Sequence, residues 1–98
     1  MRIIVKRRVN KIETKTFVIK DEAGLHARPA SILCSTAGKY SGSIDIIYQE
    51  KRYTLKSIMI LMSLGVPQGG EITLEANGEG EKEIIEDLTN ILVLHNLV

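Results

Sequence analysis

The spacing of apolar positions changes along this chain, and each change marks an element. From Thr14 to Lys20 the residues run Thr-Lys-Thr-Phe-Val-Ile-Lys. Phe17 and Ile19 fall on one face and Thr16 and Val18 on the other, the period of a half-buried strand. Asp21 to Gly24 ends it. Over Pro29 to Lys39 the period lengthens: Ala30, Leu33, Cys34 and Ala37 stand at i, i+3, i+4 and i+7, one apolar helical stripe. Pro29 suits the first turn, where its missing N–H costs nothing. A residue before proline avoids helical angles, which puts Arg28 at or just outside the boundary and His26 immediately before the helix. Gly38 and Tyr40-Ser41-Gly42 mark the exit.

Alternation then returns. Ile44, Ile46 and Tyr48 interleave with Asp45 and Ile47, and Tyr53 and Leu55 interleave with Thr54. Gln49, Glu50, Lys51 and Arg52 form a polar connection short enough for a hairpin, without the Asn-Gly pair that would name its turn type. From Ser57 to Leu64 the pattern is of a third kind. Ser57 is a good N-cap, Gly65 a good residue just past the end, and Pro67 prevents continuation. Ile58, Met59, Ile60, Leu61, Met62 and Leu64 point in every direction around these two turns. In so small a domain such a helix is expected to expose an apolar patch, and exposed patches bind partners.

Gly69 and Gly70 make a turn, and Ile72, Leu74 and Ala76 alternate with Thr73 and Glu75 as a strand. After a turn at Asn77 to Gly80, a last helix runs from about Glu81 to Leu94. Glu81 and Glu83 suit its positive end, and Ile84, Ile85, Leu88, Ile91 and Leu92 form its core stripe. His95 is read as a residue at the helix end. The order strand, helix, two strands, helix, strand, helix predicts an α+β open-faced sandwich, four strands covered on one face by three helices.

Composition narrows the picture without changing it. The 98 residues make one small domain, with a core that must be aliphatic, since there is one Phe, three Tyr and no Trp. No run approaches the roughly 18 apolar residues of a membrane span, so no membrane insertion is expected. The basic start is not followed by an apolar h-region, so no signal peptide is expected, and a cytoplasmic protein fits. Cys34 stands alone, which leaves no internal disulfide and no cysteine metal site; it reads as a small core residue. No metal and no cofactor are expected.

Net charge is +1 but unevenly spread. Residues 1–11 carry Arg2, Lys6, Arg7, Arg8 and Lys11 with no acid, while the remainder holds eight basic and twelve acidic groups, a balance of −4. Residues 1–13 are read as a basic extension, in coil or as an extra edge strand, ahead of a domain over 14–98. With no aromatic residue to stack on bases and an acidic body, nucleic-acid binding is disfavoured.

The chemistry concentrates at Gly24 to Ser31, Gly-Leu-His-Ala-Arg-Pro-Ala-Ser. Free backbone N–H groups and a partial positive charge make a helix start suit anions. An imidazole is an uncharged nucleophile near neutral pH. His26 before a helix start, with Arg28 behind it, is where a phosphate can be received and passed on. The competing reading is a polar loop residue. A hydrolase reading lacks support: His26 and Ser57 both stand near helix starts, but no third, orienting acid is indicated.

Taken together these stretches resemble HPr, the histidine-containing phosphocarrier family of the bacterial sugar phosphotransferase system, in its Gram-positive form. The motif Gly-[Leu/Ile]-His-Ala-Arg-Pro-Ala is matched by Gly24 to Ala30, and Lys-Ser-Ile-Met-x-x-Met-Ser-Leu-Gly by Lys56 to Gly65. The resemblance runs from about Thr14 to Leu94. It implies the family's fold, a four-stranded antiparallel sheet under three helices in the order β-α-β-β-α-β-α. It implies a carrier rather than an enzyme with turnover of its own. His26 would take a phosphoryl group on Nδ1 from enzyme I, ultimately from phosphoenolpyruvate, and give it to an enzyme IIA domain. Arg28 would support the transferring charge.

By the same resemblance Ser57 is a regulatory site for a dedicated HPr kinase/phosphorylase. Its phosphorylation would weaken exchange with enzyme I and permit binding to a catabolite-control repressor. Ile58, Met59, Ile60 and Met62 would form the partner surface. Two departures stand out. Ile60 occupies a position that is commonly Gly in Gram-positive members, and the basic arm is longer than the family's usual start. The alternative is the catabolite-repression paralogue of HPr, a binding module acting through phospho-Ser57; having His26 in place argues against it.

Overall fold

In the computed structural model, which describes residues 11–98, alternating segments become strands and helical stripes become helices. The elements are β1 (Ile12–Val18), α1 (Ala27–Gly38), β2 (Ser43–Tyr48), β3 (Lys51–Thr54), α2 (Ile58–Ser63), β4 (Glu71–Asn77) and α3 (Glu81–Leu94). The strands form one sheet in the order β1-β4-β2-β3, each neighbouring pair antiparallel. The expected α+β open-faced sandwich is what the chain forms.

Period-two alternation sorts the sheet's two faces. Phe17, Ile44, Ile46, Ile72, Leu74 and Ala76 are buried, as are Leu33 and Ala37 of α1 and Ile85, Leu88 and Leu92 of α3. This aliphatic core is where the hydrophobic driving force acts, at about 1.5–3 kcal/mol for each fully buried Leu or Ile. The other face carries the polar residues, with Ile12 and Val18 exposed among them. Thr16 and Thr73 pair through their hydroxyls at 2.8 Å. Asp45 and Glu75 lie opposite each other in the β2–β4 register, a like-charge pairing that is unfavourable alone. Arg52 Nη1 resolves it by donating to Glu75 Oε2 at 2.7 Å and to Asp45 Oδ2 at 3.2 Å. The hydrogen bond to Glu75, then that to Asp45, push the Arg52 pKa up.

The boundaries shift for physical reasons. β1 starts at Ile12 because its ladder with β4 runs from Ile12–Asn77 to Val18–Glu71. Ile19 leaves that ladder yet stays fully buried, its N–H donating to the Gly70 carbonyl at 2.9 Å. α1 starts at Ala27 rather than Pro29, and Arg28 lies inside it. The steric bias against helical angles before proline does not prevent this: Pro29 still falls in the first turn, where no N–H is needed, and the Ala30 N–H closes the turn onto the His26 carbonyl. The hairpin loop is two residues rather than four, since Lys51 and Arg52 pair with Tyr48 and Ile47. Gln49 and Glu50 both take left-handed angles, φ 52° and 68°, the type I′ turn that matches strand twist. Of the arm read over residues 1–13 as coil or edge strand, Ile12 and Glu13 belong to β1 beside β4, and residues 1–10 lie outside the described residues.

Candidate functional site

The first turn of α1 presents the site. His26 is the N-cap, with extended angles (φ −88°, ψ 178°), and its side chain makes no capping hydrogen bond. The first helical bond is from Ala30 N–H to the His26 carbonyl, at 3.1 Å. Pro29 has no N–H, so the helix-start donors are those of Ala27 and Arg28, for which the helix itself offers no acceptor. The His26 side chain is 41% exposed, and Arg28 is exposed on the same turn. An imidazole beside free helix-start N–H groups and an exposed guanidinium can hold an anion and exchange it with a docked molecule.

The loop before the helix fixes that placement. Gly24 takes φ +68°, and a Cβ there would lie 2.3 Å from the Val66 carbonyl oxygen, so only glycine fits. Leu25, buried, donates its N–H to the same Val66 carbonyl at 2.9 Å. The His26 loop is thus fastened to the chain leaving α2. An acid also stands beside the histidine, which the sequence reading did not indicate. Asp21 Oδ1 accepts from the Ala23 N–H at 2.7 Å, and Oδ2 lies 3.6 Å from His26 Nε2. An Asp ending a strand before a turn is so common that its type and position alone signal nothing about a histidine five residues on.

The second stretch folds as a short capped helix. Ser57 is the N-cap of α2, its Oγ accepting from the Ile60 N–H at 3.2 Å, and Gly65 closes the far end at φ +60°. Leu61 is 1% exposed and anchors the helix. Ile58, Met59, Ile60 and Met62 are 42%, 81%, 38% and 38% exposed, so they form the apolar patch. Lys56 Nζ donates to the Tyr40 carbonyl, just beyond α1, at 2.7 Å. Hence the exit of α2 meets the entrance of α1, the entrance of α2 meets the exit of α1, and the two helices run antiparallel. The chain leaving α2 meets the His26 loop at Val66, while Ser57 stands at the opposite end of α2.

The remaining candidates take plainer places. Cys34 is buried in the core, and burial pushes its thiol pKa up. His95 is the C-cap of α3, its N–H donating to the Ile91 carbonyl at 3.1 Å. No helix among the described residues is long and apolar enough to cross a membrane.

Comparison with known proteins agrees with this geometry. The family model described as "PTS HPr component phosphorylation site" matches residues 13–93. The histidine-containing phosphocarrier protein of Mycoplasma is 38% identical, with a TM-score of 0.85 over 88% of this chain and 98% of that one. The phosphocarrier protein HPr of Bacillus anthracis is 32% identical, with a TM-score of 0.75 over 84% and 98%. Crh, the catabolite repression HPr of Bacillus subtilis, is 35% identical, with a TM-score of 0.59 over 81% and 94%. These findings define a phosphocarrier fold. The chain belongs to the HPr family of the phosphotransferase system.

Proposed function

We propose that this chain is a working phosphocarrier, accepting a phosphoryl group from enzyme I on His26 and passing it to enzyme IIA domains. The observation that carries the reading is His26 itself: a half-exposed imidazole at the N-cap of α1, beside the Ala27 and Arg28 N–H groups and an exposed guanidinium. Phosphoryl transfer asks a protein mainly for positioning and charge stabilisation. The helix start supplies about 0.3–1 kcal/mol toward a bound anion. Arg28 adds a multi-donor fork matched to phosphoryl oxygens. Such a carrier needs no cofactor, and it works where its phosphotransferase partners are, in the cytoplasm. The sequence places the carrier domain at 14–98 behind a basic extension over 1–13; since Ile12 and Glu13 belong to β1, the carrier domain takes them in and the basic extension is the segment before them.

Ser57 serves as a regulatory acceptor for an HPr kinase/phosphorylase, and Ile58, Met59, Ile60 and Met62 as the partner surface. A phosphate on Ser57 adds roughly −1.5 to −2 charges at a helix start, which the dipole tolerates. The fold is therefore retained while the docking surface becomes acidic. A second reading, a catabolite-repression module binding a repressor through phospho-Ser57, draws support from the likeness to Crh. The deciding experiment incubates the protein with enzyme I and phosphoenolpyruvate, then separately with the serine kinase and ATP, and maps both adducts. An acid-labile, base-stable label that disappears in His26→Ala is expected from the first incubation. Persistence of the label in that variant sinks the assignment.

A further inference from the structure

We infer that Asp21 is a positioning residue that selects which nitrogen of His26 carries the phosphoryl group; this rests on the carrier reading above. The carboxylate is built into place rather than drifting near. Lys20, just before it, donates its N–H to the Leu97 carbonyl at 2.6 Å and accepts on its own carbonyl from Gln68 Nε2 at 3.0 Å. The Asp21 carbonyl accepts from Gly24 N–H at 2.9 Å, and Oδ1 is held by the Ala23 N–H at 2.7 Å. That leaves Oδ2 as the free oxygen, 3.6 Å from His26 Nε2, with the Asp21 side chain only 25% exposed. The separation is an electrostatic contact, beyond hydrogen-bond length.

Two consequences follow from a fixed negative charge at that edge of the ring. In a neutral imidazole, the tautomer is set by what the nitrogens face. A carboxylate facing Nε2 favours the proton there and leaves the lone pair on Nδ1. It also repels a phosphoryl dianion from Nε2. Nδ1 is bonded to Cγ and so lies nearer the backbone, where the helix-start N–H groups stand. In the transfer, the Nδ1 lone pair forms the new N–P bond as the P–N bond of a phosphohistidine donor breaks. The bonding pair returns to the donor imidazole. Nε2 keeps its proton throughout, so His26 becomes a phosphoimidazolium while the donor ring becomes neutral. The new ring charge then faces Asp21.

The test uses the full chain with 15N-labelled histidine. Ring-nitrogen shifts at alkaline pH give the tautomer ratio, and phosphoramidate, a small chemical donor, gives the phosphoisomer without any partner. The Nε2–H tautomer and the Nδ1 adduct are expected to dominate in the natural chain. In Asp21→Asn, which keeps an acceptor for Ala23 N–H but no charge, the tautomer ratio should move about two- to fivefold toward Nδ1–H. The share of Nε2 adduct should rise with it. Asp21→Ser retains a side-chain oxygen and serves where the Asn variant does not fold. Unchanged tautomer ratio and adduct share in a folded variant overturn the role of Asp21. Failure of enzyme I to label His26 would instead overturn the carrier reading, so the two failures are distinguishable.

Discussion

Arg28 stands two residues after His26 on the exposed first turn of α1. Among the described residues no hydrogen bond or ion pair holds this long cation, which suits the proposed role of closing on a phosphoryl oxygen during transfer. Its contribution is then made chiefly in the transition state. Arg28→Ala is expected to slow phosphoryl transfer by about tenfold or more while leaving the folded structure unchanged. Rapid-quench measurement of phosphoryl flow from enzyme I checks this. Arg28→Lys should recover only part of the rate, because an ammonium lacks the planar fork. Equal rates for all three proteins would remove Arg28 from the transfer step.

At the scale of elements, α2 matters most, because a helix of six residues has little stability of its own. Leu61 in the core, the Ser57 cap and the turn at Gly65 hold it, and Lys56 ties its entrance to Tyr40. Ser57→Ala should therefore lower stability by about 1 kcal/mol, read as a lower urea midpoint with an unchanged slope. Ser57→Asp keeps a side-chain oxygen for Ile60 N–H and adds a charge the helix start favours, so its midpoint should stay near that of the natural chain. A fall in both variants alike would mean that the hydroxyl does more than cap. The same antiparallel arrangement separates the Ser57 end of α2 from the His26 loop.

Among the described residues, two buried groups make the whole molecule respond to alkali. Burial raises the Cys34 pKa; burial, then the charges of Glu81 and Glu83, raise that of Tyr40. A group whose folded pKa lies above its unfolded value is ionised first in the unfolded chain. Its contribution is fully present below the unfolded pKa and is lost as pH rises toward the folded one. Stability measured by urea unfolding should accordingly be flat up to about pH 8 and fall from about pH 9 upward. Cys34→Ser and Tyr40→Phe should each reduce the steepness of that fall. Tyr40→Phe should also cost about 1 kcal/mol at neutral pH, because the Tyr40 hydroxyl donates to the Gly78 carbonyl at 2.7 Å. A stability that stays level to pH 11 would contradict this account.

Local periodicity and punctuation were enough to read the order of elements and the inward residues of the strands and of the two longer helices. Alternation at Ile44/Ile46 and Ile72/Leu74, the stripe Ala30/Leu33/Cys34/Ala37 and the Ser57–Gly65 bracket each express a short-range rule. His26 and Arg28 were legible for the same reason, being neighbours at a helix start. What the tertiary structure decided depends on residues distant in sequence. The pairing of β1 with β4 set where the first strand begins, and α1 starts at Ala27 with His26 as its N-cap. Strand register chose a two-residue turn at Gln49-Glu50 that lacks the usual glycine. Packing of α2 selected Leu61 for the core and left Ile58, Met59, Ile60 and Met62 outside. Above all, Leu97, Gln68 and Val66 hold the loop that brings Asp21 to the edge of the His26 ring. A residue's chemistry is written in its type, but the direction it faces is settled by contacts that only folding brings together.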